Sequence, residues 1–363
     1  MRLRTGFARD THAVMPRLRR VDCSAPGITR RRRGRGFSYT DACGDPVTDP
    51  ETLARIKALV IPPAWRDVWI SPIPNGHIQA IGTDAAGRRQ YRYHDAWRAR
   101  RDVMKFDHAL EFARALPALR ERVAEHLALD GMPPERVLAA AVRLLDRGFF
   151  RIGGEAYAEQ NQSYGLATIQ KRHIRIDGDE VTFDYTAKSG QHRVQTLHDP
   201  ELLPVLETLK RRRSGGDDLL AWRADDRWVD VRSDDINAYL KAETGGEFSA
   251  KDFRTWSATV LAAIGLAVSD PVATSRTARK RAMTRVVKEV AEYLGNTPAV
   301  ARSSYIDPRL FDRYTSRLTI APVLDELGDV DVLGEPAFQG RVEAAVLELI
   351  EDRQGGSLEH AIA

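Results

Sequence analysis

Tyr305 closes a stretch that opens Lys251-Asp252-Phe253-Arg254-Thr255-Trp256 and ends Gly295-Asn296-Thr297-Pro298, then Ser303-Ser304-Tyr305. A phenol with a pKa near ~10 is a poor nucleophile at neutral pH, so a tyrosine meant for covalent chemistry needs cations or a base to stabilise its phenolate. Lys251 and Arg254, three positions apart, offer fixed cations. The same stretch has a plainer reading. Trp256, Val260, Leu261, Ile264 and Leu266 recur at helical spacing as a bundle core, in which Tyr305 is one more packed aromatic.

Two other segments matter once they are set beside this one. Phe149-Phe150-Arg151-Ile152-Gly153-Gly154 puts an Arg just after an apolar helical pattern and just before two glycines that allow close backbone approach. Thr186-Ala187-Lys188-Ser189-Gly190 puts a Lys in a polar turn, by itself an ordinary surface charge, and the Gly-x-x-x-x-Gly-Lys frame of an ATP loop is absent. Taken in order, Arg151, Lys188, Arg254, Asn296 and Tyr305 resemble the catalytic set of type IB DNA topoisomerases, the poxvirus-like branch of viruses and bacteria. The resemblance rests on Lys251-x-x-Arg254 and on Gly-Asn-Thr-Pro with its Asn nine residues before Tyr305. It rests also on Arg151 with Tyr157 six residues on, on the interval of 37 residues from Arg151 to Lys188, and on a Gln90-Tyr91-Arg92-Tyr93 strand. It covers roughly residues 37 to 317.

The resemblance implies that Tyr305 attacks a DNA phosphodiester, expelling a 5′ hydroxyl and leaving a 3′ phosphotyrosyl link that the hydroxyl later reverses. Arg151, Arg254 and Asn296 then hydrogen-bond the nonbridging oxygens, and Lys188 protonates the departing oxygen. Gln90, Tyr91, Tyr93, Tyr157 and Lys251 are implied DNA contacts. Duplex DNA, preferably supercoiled, is the implied partner of a monomer, with no ATP, no essential divalent metal and no cofactor.

These residues need elements to hold them. The pattern predicts an α+β chain, with a small β-rich amino-terminal domain and a larger, mainly helical catalytic domain carrying a β-hairpin; the resemblance implies that the two clamp duplex DNA. The divisions read from the sequence are a basic arm (1–36), the β-rich domain (37–97), the catalytic domain (98–320) and an acidic extension (321–363). Asp49 before Pro50 marks a helix start. Strands are predicted around Trp69–Ser71, Gly76–Gly82 and Gln90–Tyr93, where alternation puts Tyr91 and Tyr93 on one face and Gln90 and Arg92 on the other. Long helices are predicted from Arg98 to Leu127 and after Pro133-Pro134. Then come a hairpin turning at Asp177-Gly178, a strand from Gln191 to Leu197, and helices over Glu201–Arg213, Ser233–Ala242, the Lys251 segment and Arg276–Lys288. Val342, Val346, Leu347 and Ile350 mark one more amphipathic helix in the tail.

An apolar fraction of 43% and a charged fraction of 29% over 363 residues describe an ordinary globular protein long enough for two cores. No apolar run reaches the roughly 18 residues of a membrane span, and the Arg-rich start lacks the apolar segment of a secretory signal, so a cytoplasmic, nucleoid-associated protein is expected. Two cysteines fit a reducing compartment, and nine scattered histidines give no zinc spacing. The net charge of +4 hides an asymmetry: from Ala321 on, ten acidic residues against two Arg give −8, so residues 1–320 carry +12. That surplus suits a polyanion. Two other functions fit parts of the pattern. A tyrosine recombinase shares the Arg, Lys, Arg and Tyr plan, but characteristically has His-x-x-Arg where this chain has Lys251-x-x-Arg254. A noncatalytic DNA-binding protein needs only the basic body and arm.

Overall fold

Five antiparallel strands carry the amino-terminal part of the chain: β1 (Ile28–Arg33), β2 (Gly36–Thr40), β3 (Arg66–Ile70), β4 (Ile78–Thr83) and β5 (Arg89–Tyr93). They pair in the order β2-β1-β3-β4-β5. The computed structural model describes residues 17–155, 158, 161–328 and 336–351; it divides after Lys105 into two units, a β-rich one and a larger, mainly helical one. The chain is therefore α+β. In the first unit Asp49 caps α1 (Pro50–Ala58), its Oδ2 accepting from the Thr52 amide at 2.8 Å. Ile56 and Leu59 then meet Ile28, Val68, Ile70 and Ala80 to make the core of this unit. Asp84 accepts the amides of Ala86 and Arg88 and so fixes the β4–β5 turn.

The Arg-rich run is not a solvated leader. Arg30 to Arg33 lie in β1, in register with β2 from Thr29↔Thr40 to Arg33↔Gly36. Ile28 is buried in the core, and Arg30, two residues on and on the same face, lays its guanidinium against the carbonyls of Ile61, Pro62 and Trp65 and over the Phe37 ring at 4.2 Å. Four identical side chains hide the alternation that identifies a strand. Residues 1–16 of the expected arm lie outside the described residues.

A 33-residue helix, α2 (Asp95–Leu127), begins before the division and continues past it. In the second unit it is followed by α3 (Pro134–Gly148), then by an antiparallel sheet of β6 (Ile174–Asp177), β7 (Glu180–Ala187) and β8 (Gln191–His198) in the order β6-β7-β8. α4 (Leu203–Arg211) leads into a second hairpin, β9 (Ala221–Ala224) with β10 (Arg227–Asp230), and α5 (Ser233–Thr244). The rest is helical: α6 (Ala250–Ser269), α7 (Arg276–Leu294), α8 (Pro298–Ser304), α9 (Pro308–Thr315), α10 (Ala321–Leu327) and α11 (Pro336–Glu351).

α6 is central to this core, and the stripe its sequence suggests takes part. Trp256 and Leu266 are fully buried, and Val260, Leu261 and Ile264, partly buried, pack against the core; Ala258, Thr259, Ala262 and Ala263 are buried as well. Small residues let α7 come close, and a Cβ on Gly265 would stand 3.1 Å from Val286.

The acidic segment is no mere appendage either. Val342, Val346, Leu349 and Ile350 of α11 are buried in the core of this unit. Glu343 accepts from Arg120 Nη1 at 2.5 Å and from the Trp256 indole at 3.1 Å, and Arg114 pairs with Glu351.

Candidate active site

α7 ends in a Schellman turn. Gly295, at φ +60, donates to the Glu292 carbonyl at 2.9 Å, and the Asn296 amide donates to Ala291 at 2.8 Å. The last carbonyls beyond these, where the helix dipole is negative, are taken by three guanidiniums. Arg254 Nη2 donates to the Leu294 carbonyl at 2.7 Å, and Arg151 Nη2 to the Gly295 carbonyl at 2.6 Å. Arg193 on β8 donates to the carbonyls of Glu292 at 3.2 Å and Tyr293 at 2.7 Å.

Each arginine is held from behind. α3 ends at Gly148, where any Cβ would strike the Phe150 ring; Phe150 folds back onto Phe183 and Tyr185, and the chain emerges at Arg151. The Arg151 and Ile152 carbonyls accept from the amides of Leu166 at 2.8 Å and Ala167 at 2.7 Å. Gly153 lies so close to Gly165 that a Cβ on the latter would come within 2.5 Å of it. Arg254 stands one turn into α6, whose start is fixed by Asp252 accepting from the Ser249 amide at 2.8 Å and hydroxyl at 3.0 Å. Its Nη1 donates to the Phe149 carbonyl at 2.8 Å.

Tyr305 follows α8, which Thr297 caps by accepting from the Val300 amide. Thr259 of α6 holds the tyrosine backbone: its hydroxyl donates to the Tyr305 carbonyl at 3.2 Å and accepts from the Asp307 amide at 3.1 Å. The half-buried ring of Tyr305 then lies beneath the Arg254 guanidinium, 5.4 Å from Cζ to ring centre.

The electrostatics are dominated by buried cationic and donor groups. Arg254 is 4% exposed, and among the described residues no carboxylate pairs with it. Burial and the neighbouring Arg151 push its guanidinium down to about 10, with Tyr305 working the other way, so it stays cationic at neutral pH. Asn296 Oδ1 accepts from Arg151 Nη2 at 2.6 Å, which fixes the amide orientation and leaves Nδ2 a buried donor with no partner among the described residues. Beside Asn296 opens a groove of about 920 Å³ between β8 and the end of α7, lined also by Phe149, Arg193 and Tyr293.

The folded chain thus gathers Arg151, Arg254, Asn296 and Tyr305. Lys188 stands on the exposed β7–β8 turn, three residues before Gln191, whose side-chain oxygen lies beside Gly295, 2.8 Å from where a Cβ would stand. Lys251 is exposed on the first turn of α6. On β5, in the other unit, Tyr91 and Tyr93 stack on one face with ring centres 6.1 Å apart. Gln90 donates to Asp84 at 2.9 Å. Tyr157 lies outside the described residues. Sequence reasoning missed Arg193 and the buried Tyr185, which face each other across β7 and β8. Burial raises the Tyr185 phenol above its ordinary value against the pull of Arg193, Arg254 and Arg151. Strand alternation pairing an aromatic with a cation was the available signal. Among the described residues no group of three or more His, Cys, Asp or Glu side chains forms a metal cage.

Residues 94–320 match the family model of the eukaryotic DNA topoisomerase I catalytic core, and residues 36–84 match the bacterial DNA topoisomerase IB amino-terminal domain. The chain belongs to the type IB DNA topoisomerases. It is 30% identical over 287 residues to DNA topoisomerase 1B of Acanthamoeba polyphaga mimivirus, covering 77% of this chain and 85% of the viral one. With DNA topoisomerase I of monkeypox virus and DNA topoisomerase 1B of vaccinia virus (strain Copenhagen) identity is 21% over 260 residues, covering 71% of this chain and 76% of each relative. As a member of this family the chain is a DNA topoisomerase, an isomerase, and its cluster of guanidiniums, amide and phenol lies wholly within the matched core.

Proposed function

We propose that this topoisomerase relaxes supercoiled duplex DNA by transient single-strand cleavage through Tyr305, without ATP and without an essential metal. The observation that carries the reading is Arg254, a buried cation in contact with the Tyr305 ring, which among the described residues has no carboxylate partner and stands beside an Asn296 Nδ2 donor with no partner there either. A buried charge of this kind is strongly disfavoured until an anion joins it, and a backbone phosphate between the phenol and these donors is such an anion.

In the proposed step the Tyr305 Oη forms a bond to phosphorus, and the bond from phosphorus to the 5′ oxygen breaks. One proton leaves the phenol for water, and one passes from Lys188 to the departing oxygen, too basic to leave as an alkoxide. Negative charge grows on the nonbridging oxygens, where Arg151, Arg254 and Asn296 donate, each such donor being worth on the order of 10² to 10³ in rate. The phosphotyrosyl bond conserves the energy of the broken one, so religation by the freed hydroxyl needs no nucleotide. Tyr91, Tyr93, Gln90, Tyr157 and Lys251 serve as DNA contacts in this reading.

The test is to trap the covalent complex on strands labelled at either end. The 5′ label is expected to stay with the protein, through a 3′ phosphate, and Tyr305→Phe to form no complex while still binding duplex. A protein-linked 3′ label, or an undiminished complex in the Phe variant, overturns the assignment. Relaxation of plasmid in the presence of a chelator and without ATP tests the cofactor independence.

A further inference from the structure

Arg31, Arg32, Arg33 and Arg35 are all exposed, and among the described residues their side chains have no ion-pair or hydrogen-bond partner. Their setting is ordered. β1 meets β3 only at Ile28 and Thr29, whereas its pairing with β2 runs on to Arg33↔Gly36. From Arg30 onward the hairpin therefore leaves the sheet as a two-stranded ribbon, reaching about 13 Å at ~3.3 Å per residue. Gly34, at φ +58, makes the two-residue turn at its end, in the position where such hairpins require a positive φ. Arg30 clamps the base through Phe37 and the Trp65 carbonyl.

Alternation then sends Arg31 and Arg33 to one face and Arg32 to the other, with Arg35 at the turn. Four like charges held this close on a stiff ribbon repel one another, and neutralisation by phosphates relieves that repulsion. A ribbon is also a shape that the grooves of a duplex accommodate. The amino-terminal family match begins at residue 36, so the strand that carries this charge lies outside the matched segment. β1 and β5 are separated by β3 and β4, about 14 Å across the sheet, so the β1–β2 ribbon and β5 would meet different phosphates.

We propose that the β1–β2 ribbon is an auxiliary grip on duplex DNA, in which Arg31, Arg32, Arg33 and Arg35 bind backbone phosphates apart from those met by β5. The proposal rests on the DNA-relaxing function above and adds a binding site to it. The experiment uses the full chain carrying Tyr305→Phe, with all four arginines changed to Gln or all four to Lys, and measures equilibrium binding of a labelled linear duplex against salt. The Gln form is expected to lose about 2–4 from the slope of log affinity against log salt, and the Lys form to keep the parental slope. With Tyr305 restored, cleavage at saturating DNA stays at the parental rate in both. An unchanged slope in the Gln form, or equal losses in the Gln and Lys forms, overturns the proposal. The covalent-complex assay reports separately on Tyr305, so loss of that reading leaves the salt measurement intact.

Discussion

Arg254 is buried deeply enough for its guanidinium to fall to about 10, yet arginine starts high enough to remain charged. Lysine starts lower, near ~10.4, and the same burial and the same neighbouring Arg151 push an ammonium down as well. In Arg254→Lys the cation is therefore lost at a lower pH than in the parent as pH rises. The ratio of variant to parent cleavage rate in single turnover is expected to fall as pH rises from neutral into the alkaline range; a ratio constant from about pH 6 to about pH 9 refutes the argument. Arg254 stood out in the sequence as a cation three positions from Lys251 in the stretch that Tyr305 closes, whereas Asn296 was legible only through the resemblance. Arg151 too was legible only through the resemblance, since its placement depends on the Leu166 and Ala167 amides that pin its backbone and on a carbonyl 144 residues away. Arg193 was missed because the carbonyls it serves lie on a helix end 99 and 100 residues on, and its alternation opposite Tyr185 was a faint signal beside that distance.

Asp49 announced α1 through its cap, and Ser275 before α7 and Gly295 after it also do at the backbone what their residue types favour. Strands were less readable. β1 was hidden by uniform charge, and β9 and β10 are four residues each, too short for alternation to register. α11 was read as a helix, but its partners were invisible, since Glu343 meets Arg120 and Trp256 only through folding. Burial opposes the charge on Arg120, yet hydrogen bonds and attraction from Asp146 and Glu343 outweigh it and hold the guanidinium above its ordinary value. Trp256 lies two residues beyond Arg254, so this network also fixes the register of the helix that bears the site. Glu343→Ala leaves the buried indole donor unpartnered and removes one of the two carboxylates on Arg120. It is expected to destabilise the protein by about 2–4 kcal/mol in denaturant titration. Deleting α11 uncovers Val342, Val346, Leu349 and Ile350, each worth about 1.5–3 kcal/mol when buried, and is expected to abolish cooperative unfolding of the helical unit. A truncated chain with parental stability and cleavage contradicts this account of the acidic segment.

Among the described residues there are two hydrophobic cores of unequal size. Ile28, Ile56, Leu59, Val68, Ile70 and Ala80, with Tyr39, Val47, Ile61 and Trp65 packed against them, make the smaller, in the β-rich unit, while the larger runs from Leu110 of α2 to Ile350 of α11. So small a core supports only marginal stability, and the β-rich unit is expected to unfold first on heating. Tryptophan reports on both units, because Trp65, Trp69 and Trp97 belong to the first and Trp222, Trp228 and Trp256 to the second. Ile70, with no exposed surface, is the place to separate them. Ile70→Ala removes a buried side chain at a cost of about 2–5 kcal/mol. It is expected to lower the first thermal transition and leave the second unmoved, while at saturating DNA Tyr305 still forms its covalent link. The residues proposed for cleavage all belong to the helical unit, in which α11 meets Arg120 and Arg114 with its own carboxylates. If instead both transitions fall together, the two cores are one cooperative structure and the division after Lys105 has no energetic meaning.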